Sequence, residues 1–357
     1  QTRRADNKGL TRPELSVLIS YTKADLKERL NTDTITQDPH ISAMVATAFP
    51  DALAAKFAEP MKNHRLHREI IATQLANDMV NFMGITFISR MKESSGATAS
   101  DIARAYVTAR DIFGLKAHWQ EINALDYKIS TKLQETMMLE LMRLVRRATR
   151  WILRNRRNLG SIADEVAFFA PALAAITNKL GDTLRGDALE TWQVAYQQRV
   201  DAGVPQSLAA FTAGASELYA SLGIIEAASR SQRDPALVTQ AYFGIGEHLS
   251  LNWFLAQINA LPASNYWEAM ARESFRDDLD WQLSRLTVGI LDICQDGEDL
   301  LEAITRWEES QTLLVNRWRN ILQELKSTDS VSFPMIAVAL RELLDLAMAS
   351  QDKALPV

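Results

Sequence analysis

The sequence has a single cysteine, Cys294, in 357 residues, so no internal disulfide can form, and a reducing compartment suits it. Proline and glycine are sparse, at 10 and 14, which excludes a turn-rich β sandwich and argues for long unbroken elements. No long apolar run is present. The longest stretch without a charge, between Glu247 and Glu268, holds His248, Asn252, Gln257, Asn259 and Pro262, so it would not partition into a bilayer. Residues 1–10 are polar and lack the apolar core of a signal peptide. These absences predict a cytoplasmic protein with no membrane partner. The chain starts at Gln1 and not at methionine, which predicts a longer reading frame or processing.

What is present reads as helix. The composition, 47% apolar and 23% charged, is that of a folded globular chain. Its length exceeds the ~250–300 residues at which single cores stop growing, so two helical units are expected. Thr11 and Glu14 bracket Arg12-Pro13 as a capping box, Asp38-Pro39 reads as a second helix start, and Thr98 with Asp101 as a third. Gly84 and Gly114 follow apolar periodic runs and suit left-handed C-terminal caps. Ile70, Ile71, Leu75, Met79 and Phe82 share one helical face. The stretches 130–158, 265–288 and 298–326 each predict one long helix, and an extended piece is expected only at Ser330–Phe333. The fold class is all-α and multi-helical. The expected organisation is an N-terminal helical unit over 1–158, a helical connector over 159–204 and a C-terminal helical unit over 205–357.

A faint repeat runs through the chain. Ala105-Tyr106, Leu115 and Ile122-Asn123-Ala124-Leu125 recur as Ala241-Tyr242, Leu251 and Ile258-Asn259-Ala260-Leu261, at a constant offset of 136 residues. Either a helical unit has been duplicated, or two amphipathic hairpins resemble each other by chance.

Sites of chemistry are hard to find. Gly244-Ile245-Gly246 lacks the third glycine and the preceding strand of a dinucleotide turn, and no phosphate-binding loop is present. His64 and His67 could share a metal with Glu69 nearby, but Arg65 and Arg68 interleave them and would repel a cation. His40, His118 and His248 stand alone in the sequence and read as surface or satisfied buried histidines. Cys294 reads as a small core residue. Trp253, Trp267, Trp281, Trp307 and Trp318 crowd the C-terminal half, and Trp267 and Trp281 are spaced to share a face. A stripe of that kind belongs to a core or a helix–helix interface.

The clearest electrostatic feature is a run of seven arginines in the fifteen residues from Arg143 to Arg157. On a helix Arg143, Arg147, Arg150, Arg154 and Arg157 form one ridge, with Leu141, Leu144, Val145, Ala148, Trp151 and Ile152 opposite. Like charges four apart repel, so the ridge calls for acidic partners, for which Asp277, Asp278 and Asp280 are candidates. The ridge is open to three readings: an internal or domain interface, a solvated face, or an anion or effector site. Nucleic acid is disfavoured because the net charge is −5 and no aromatic residues interleave with the ridge on its exposed face.

Three blocks carry a resemblance: residues 9–23, GLTRPELSVLISYTK; His64-Arg65-Leu66 with 68–78, REIIATQLAND; and 148–157, ATRWILRNRR. They closely resemble the large NAD-specific glutamate dehydrogenases of bacteria, over roughly the first 160 residues, and the remainder resembles them more loosely. In that family the segment follows the catalytic domain. The resemblance implies a cytoplasmic parent that converts L-glutamate to 2-oxoglutarate and ammonium with NAD, and that forms a large homo-oligomer. It places the glutamate site and the dinucleotide fold upstream, so no catalytic or cofactor residue is carried over onto this chain, and no cofactor is expected in it. The expected role is a non-catalytic accessory segment for assembly or regulation, whose partners are its own catalytic domain and other subunits. The alternatives are an allosteric metabolite-binding domain built on the ridge, or a free-standing helical scaffold.

Overall fold

The computed structural model describes residues 9–156, 160–295 and 298–350. Every element among these residues is helical, and no strand occurs among them. Sixteen helices have eight residues or more. They are α1 (Arg12–Asn31), α2 (His67–Met83), α3 (Phe87–Ser95), α4 (Ala99–Ile112), α5 (Leu115–Asn123), α6 (Thr131–Asn155), α7 (Ile162–Asn178), α8 (Gly186–Asp201), α9 (Gln206–Ala213), α10 (Ser221–Ser231), α11 (Pro235–His248), α12 (Leu251–Ala260), α13 (Tyr266–Ile293), α14 (Leu300–Ser310), α15 (Thr312–Ser327) and α16 (Phe333–Ala349).

The chain divides into two compact units. The first is Gln1–Gln120 with Met138–Phe168, and the second is Glu121–Met137 with Phe169–Val357. In the first unit α1 lies along α2, and α4 packs on both. Leu30, Ile71, Leu75, Met79, Phe87 and Tyr106 are fully buried there, and the rings of Phe87 and Tyr106 meet edge to face at 5.9 Å. In the second unit the long helix α13 is central and is flanked by α10, α11 and α16. Trp307, Trp318 and Phe254 are buried there. Trp318 Nε1 donates to Leu249 O (3.1 Å), Trp307 Nε1 to Ser350 Oγ (2.9 Å) and Gln282 Nε2 to Leu340 O (3.1 Å), so these three buried donors are satisfied.

Local chemistry sets the helix borders. Thr98 and Asp101 form a reciprocal capping box, each side chain accepting from the other residue's N–H at 3.1 Å. Asp38 accepts from the N–H groups of His40 (3.0 Å) and Ile41 (3.4 Å) and starts the short helix Pro39–Ser42. Glu14 reaches back to the Thr11 N–H at 2.8 Å. Gly114 adopts the left-handed conformation (φ 58°), whereas Gly84 ends α2 with positive φ but extended ψ (83°, 169°) and is not a left-handed cap.

Two expectations are corrected. The stretch 298–326 is two helices and not one, because the chain breaks at Gln311. Neither proline nor glycine is involved. Gln311 leaves helical geometry (φ −117°, ψ 26°) although its N–H still donates to Trp307 O (3.0 Å), and Ser310 Oγ and Thr312 Oγ1 donate to Trp307 O (2.7 Å) and Glu309 O (2.8 Å) on either side of it. The residues 330–333 form no strand: Ser332 is the extended N-cap of α16, and Phe333 opens that helix with Pro334 in its first turn.

The 136-residue spacing recurs in the structure. Helix α4 starts and ends 136 residues before α11, α5 starts 136 before α12, and α6 starts within one residue of that shift from α13. The caps recur as well. Thr98 and Asp234 are both N-caps, Gly96 and Gln232 are both left-handed (φ 70° and 54°), and so are Gly114 and Ser250 (φ 58° and 55°). Ile102, Ala105, Tyr106, Leu115 and Ile122 are buried, as are Val238, Ala241, Tyr242, Leu251 and Ile258 at the shifted positions.

Candidate functional site

Helix α6 carries the arginine ridge. Its opposite face, Leu141, Leu144, Val145, Ala148, Trp151 and Ile152, is buried. The ridge itself is graded in exposure. Arg143 and Arg154 are exposed, Arg147 is half-buried, and Arg150 is only 9% exposed. Arg157 lies outside the described residues. Arg156, which is in the arginine run but not on the ridge, has its Nε 3.6 Å from Glu165 Oε2 and its guanidinium 5.2 Å from the centre of the Phe168 ring.

A second group, which sequence reasoning missed, is a buried ion network in the first unit. At its centre is Arg110, near the end of α4 and only 5% exposed. Its Nε and Nη2 donate to the two carboxylate oxygens of Asp111 (2.6 and 2.8 Å), and its Nη1 donates to Asp78 Oδ2 on α2 (2.7 Å). Tyr106, one turn earlier on the same face, donates to the same Asp78 oxygen (3.1 Å), and Lys116 Nζ reaches Asp78 Oδ1 (3.1 Å). Asp111 Oδ2 lies 2.7 Å from His40 Nε2. Beside it Arg104 donates to Asp38 Oδ2 (2.6 Å), the carboxylate that caps the helix holding His40. Four separate stretches of chain are thereby tied through one guanidinium.

The electrostatics follow from the pairing. Burial works to raise the Asp111 carboxyl, but the hydrogen bonds and charge of Arg110, helped by His40, outweigh it and hold the group below the usual carboxylate range. Burial pushes the Tyr106 phenol well above its ordinary value, and the charge of Asp78 adds to that. Burial opposes the charge on Arg110, yet Asp111 and Asp78 together raise its affinity for its proton. The phenol therefore keeps its proton and the carboxylate stays charged at neutral pH. Such a set of paired charges and hydrogen bonds fastens elements together.

This has a pH consequence. Because Asp111 titrates lower folded than unfolded, its contribution is fully present above the unfolded value of about 3.9 and is lost as pH falls through the folded value. In an acid titration of stability, the wild-type chain is expected to fall more steeply below about pH 4 than Asp111→Asn. Parallel curves would contradict the assignment.

The other sequence candidates separate. His64 Nδ1 accepts from the Leu66 N–H (3.0 Å), and His67 Nε2 lies 3.2 Å from Ser42 Oγ, so the two rings serve different partners. Among the described residues no group of three or more His, Cys, Asp or Glu could hold a metal. His248 pairs with Glu308 (2.7 Å), which also takes Arg319 (2.5 Å). Gly244 and Gly246 stand inside α11, where they admit Leu300 and Leu283. Cys294 is half-buried and not core, because α13 has ended at Ile293 and the side chain follows the cap outward. Trp267 is 76% exposed and Trp281 43% exposed, stacked under Arg285 at 4.6 Å, so neither joins the core with Trp307 and Trp318. No single helix among the described residues is long and apolar enough to cross a membrane.

The signal for the network was partly visible. Asp78 closes the second resemblance block, and Tyr106 and Arg110 stand four apart on one helix. The partners of Arg110 from other elements could not be read from spacing.

Comparison with known proteins places these features in a family context. Residues 7–345 match the family model described as "Glutamate dehydrogenase, C-terminal". The chain is 51% identical over 344 residues to the NAD-specific glutamate dehydrogenase of Pseudomonas aeruginosa, covering 96% of this chain and 21% of that protein. It is 44% identical over 346 residues to the NAD-specific glutamate dehydrogenase of Halomonas elongata, covering 97% and 21%. It is 30% identical over 342 residues to that of Mycobacterium tuberculosis, covering 96% and 21%. The chain thus spans about a fifth of the length of these relatives.

Proposed function

Because the chain belongs to the glutamate dehydrogenase C-terminal family, we propose that it is a helical accessory segment of an NAD-specific glutamate dehydrogenase, one that docks on the catalytic part of that enzyme and on other subunits. The observation that carries this reading is the match itself: nearly the whole chain aligns with a fifth of enzymes named for NAD-specific glutamate oxidation. The parent would convert L-glutamate, NAD and water to 2-oxoglutarate, ammonium and NADH. A nicotinamide dinucleotide is bound by a strand, a glycine turn and a helix N-terminus. The nearest approach to such a turn, Gly244 and Gly246, lies within helix α11, so these residues do not fit NAD. No hydride-transfer step is assigned to this chain.

In this reading the two units act by packing. The buried ion network holds the first unit to one shape, so its outer surfaces meet their partner in a fixed arrangement. The uncovered part of the ridge, Arg143 and Arg154 with the half-buried Arg147, serves as an interface for acidic groups, while Arg150 is already covered within the chain and Arg157 is the fifth member by sequence. The test is direct. The purified chain is expected to show no NAD-dependent glutamate oxidation, and the full-length enzyme carrying it is expected to be active. Turnover by the purified chain would overturn the non-catalytic role.

A further inference from the structure

Helix α1 is apolar on two opposite sides, and only one of them is covered. Leu26 and Leu30 are buried on the side that faces α2, and Ile19 is half-buried with them. On the other side Val17 (55% exposed), Leu18 (41%), Tyr21 (72%) and Ala24 lie in the open. Val17, Tyr21 and Ala24 are spaced i, i+4, i+7, the pattern by which a helix is received in an apolar groove. A second, uncovered apolar face on a helix marks a surface that suits a partner.

The polar groups of this stretch are already arranged for burial. Ser16 Oγ donates to Arg12 O (2.9 Å), Ser20 Oγ to Ser16 O (3.0 Å) and Thr22 Oγ1 to Leu18 O (2.8 Å). These three hydroxyls are satisfied within the helix, so covering them strands no donor, and the Tyr21 hydroxyl is the one polar group of the face that a partner has to meet. Between Leu15 and Ala24 the only charged residue is Lys23, which is half-buried and lies off the open face. Carboxylates lie at the two ends of the face: Glu14, held by the Thr11 N–H and hydroxyl, at one, and Glu28 with Asp25, which pairs with Arg29 at 3.0 Å, at the other.

That charge pattern speaks against a second copy as the occupant. A two-fold contact centred on Tyr21 would set Glu14 of one chain against Glu28 of the other, like charge on like. It favours an apolar groove on a different surface. About four-fifths of the length of the relatives lies outside the part matched here, which supplies such a surface in the same polypeptide.

We propose that the outer face of α1, formed by Val17, Leu18, Tyr21 and Ala24, seats in a groove of the catalytic part of the glutamate dehydrogenase. This rests on the docking reading above and names the surface that does it. The test uses the full-length enzyme with a photo-crosslinker at this face, Tyr21→p-benzoylphenylalanine, and a control probe at an exposed site of the second unit, Trp267→p-benzoylphenylalanine. The Tyr21 probe is expected to link to a peptide of the catalytic part, and adding Val17→Asp is expected to abolish that link. Links from Tyr21 only to residues of this chain, links to α1 of a second copy in isotopically mixed enzyme, or no link at all would each overturn the assignment. If the Trp267 probe then links to the catalytic part, docking stands and this face is wrong. If neither probe does, the docking reading falls with it.

Discussion

Arg110→Ala is expected to lower the unfolding free energy of the first unit by about 3–5 kcal/mol, the range for removing one partner of a buried ion pair. The variant would leave Asp78 and Asp111 inside the unit without the guanidinium that takes three of their oxygen contacts. Asp78 keeps Tyr106 and Lys116, but Asp111 keeps only His40. The cost is shared, since Asp78 is the more buried carboxylate and Asp111, 23% exposed, keeps the fewer partners. Asp111→Asn combined with Arg110→Ala is expected to recover part of the loss, since a neutral amide is far less costly to bury unpaired than a charge. Arg110→Lys is expected to be intermediate, because one ammonium cannot span both carboxylates in a fork. Urea unfolding, followed by the fluorescence of Trp119 and Trp151, would measure all three. A loss under about 1 kcal/mol for Arg110→Ala would put the pair in the class of solvated surface bridges and refute its role as a fastener.

This network also marks where reading the sequence stopped. Helix starts were legible because a cap is a matter of four adjacent residues: Thr98 with Asp101, and Asp38 before Pro39, behave as their spacing predicts. The buried face of α6 was legible too, since Leu141, Leu144, Val145, Ala148 and Ile152 follow helical periodicity. The burial of Arg150 was not, because a ridge drawn on an isolated helix cannot show which turn another element covers. His40 stood alone in the sequence and yet meets Asp111, 71 residues on. The break at Gln311 escaped because no proline or glycine marks it and the apolar pattern runs through it unchanged. The repeat runs the other way. A few shared residues 136 apart are weak on their own, and the matching N-caps and left-handed positions could not be read from them. Gln232 and Ser250 hold a backbone that favours glycine, as Gly96 and Gly114 do one repeat earlier.

The second unit rests on its tryptophans unequally, and Trp318→Ala is expected to cost about 3–5 kcal/mol there. The Trp318 ring is fully buried, meets Phe254 edge to face at 5.4 Å and donates to the carbonyl of Leu249, at the end of α11. Alanine would open a cavity among α11, α12 and α15 and leave that carbonyl without its donor. Trp318→Phe is expected to cost less, because it retains most of the ring volume and loses mainly the hydrogen bond, worth about 1 kcal/mol. Trp267 supplies the contrast: at 76% exposure its replacement by alanine is expected to stay within about 0.5 kcal/mol. Thermal unfolding of the three variants separates the ring that builds the unit from the ring that lies on its surface. A large loss for Trp267→Ala would mean that its ring carries weight within this chain, and the exposed aromatic would no longer be a sound control site for the cross-linking of α1. A small loss for Trp318→Ala would mean that α11 and α15 are held together by other contacts, and that the core of the second unit is not centred on this ring.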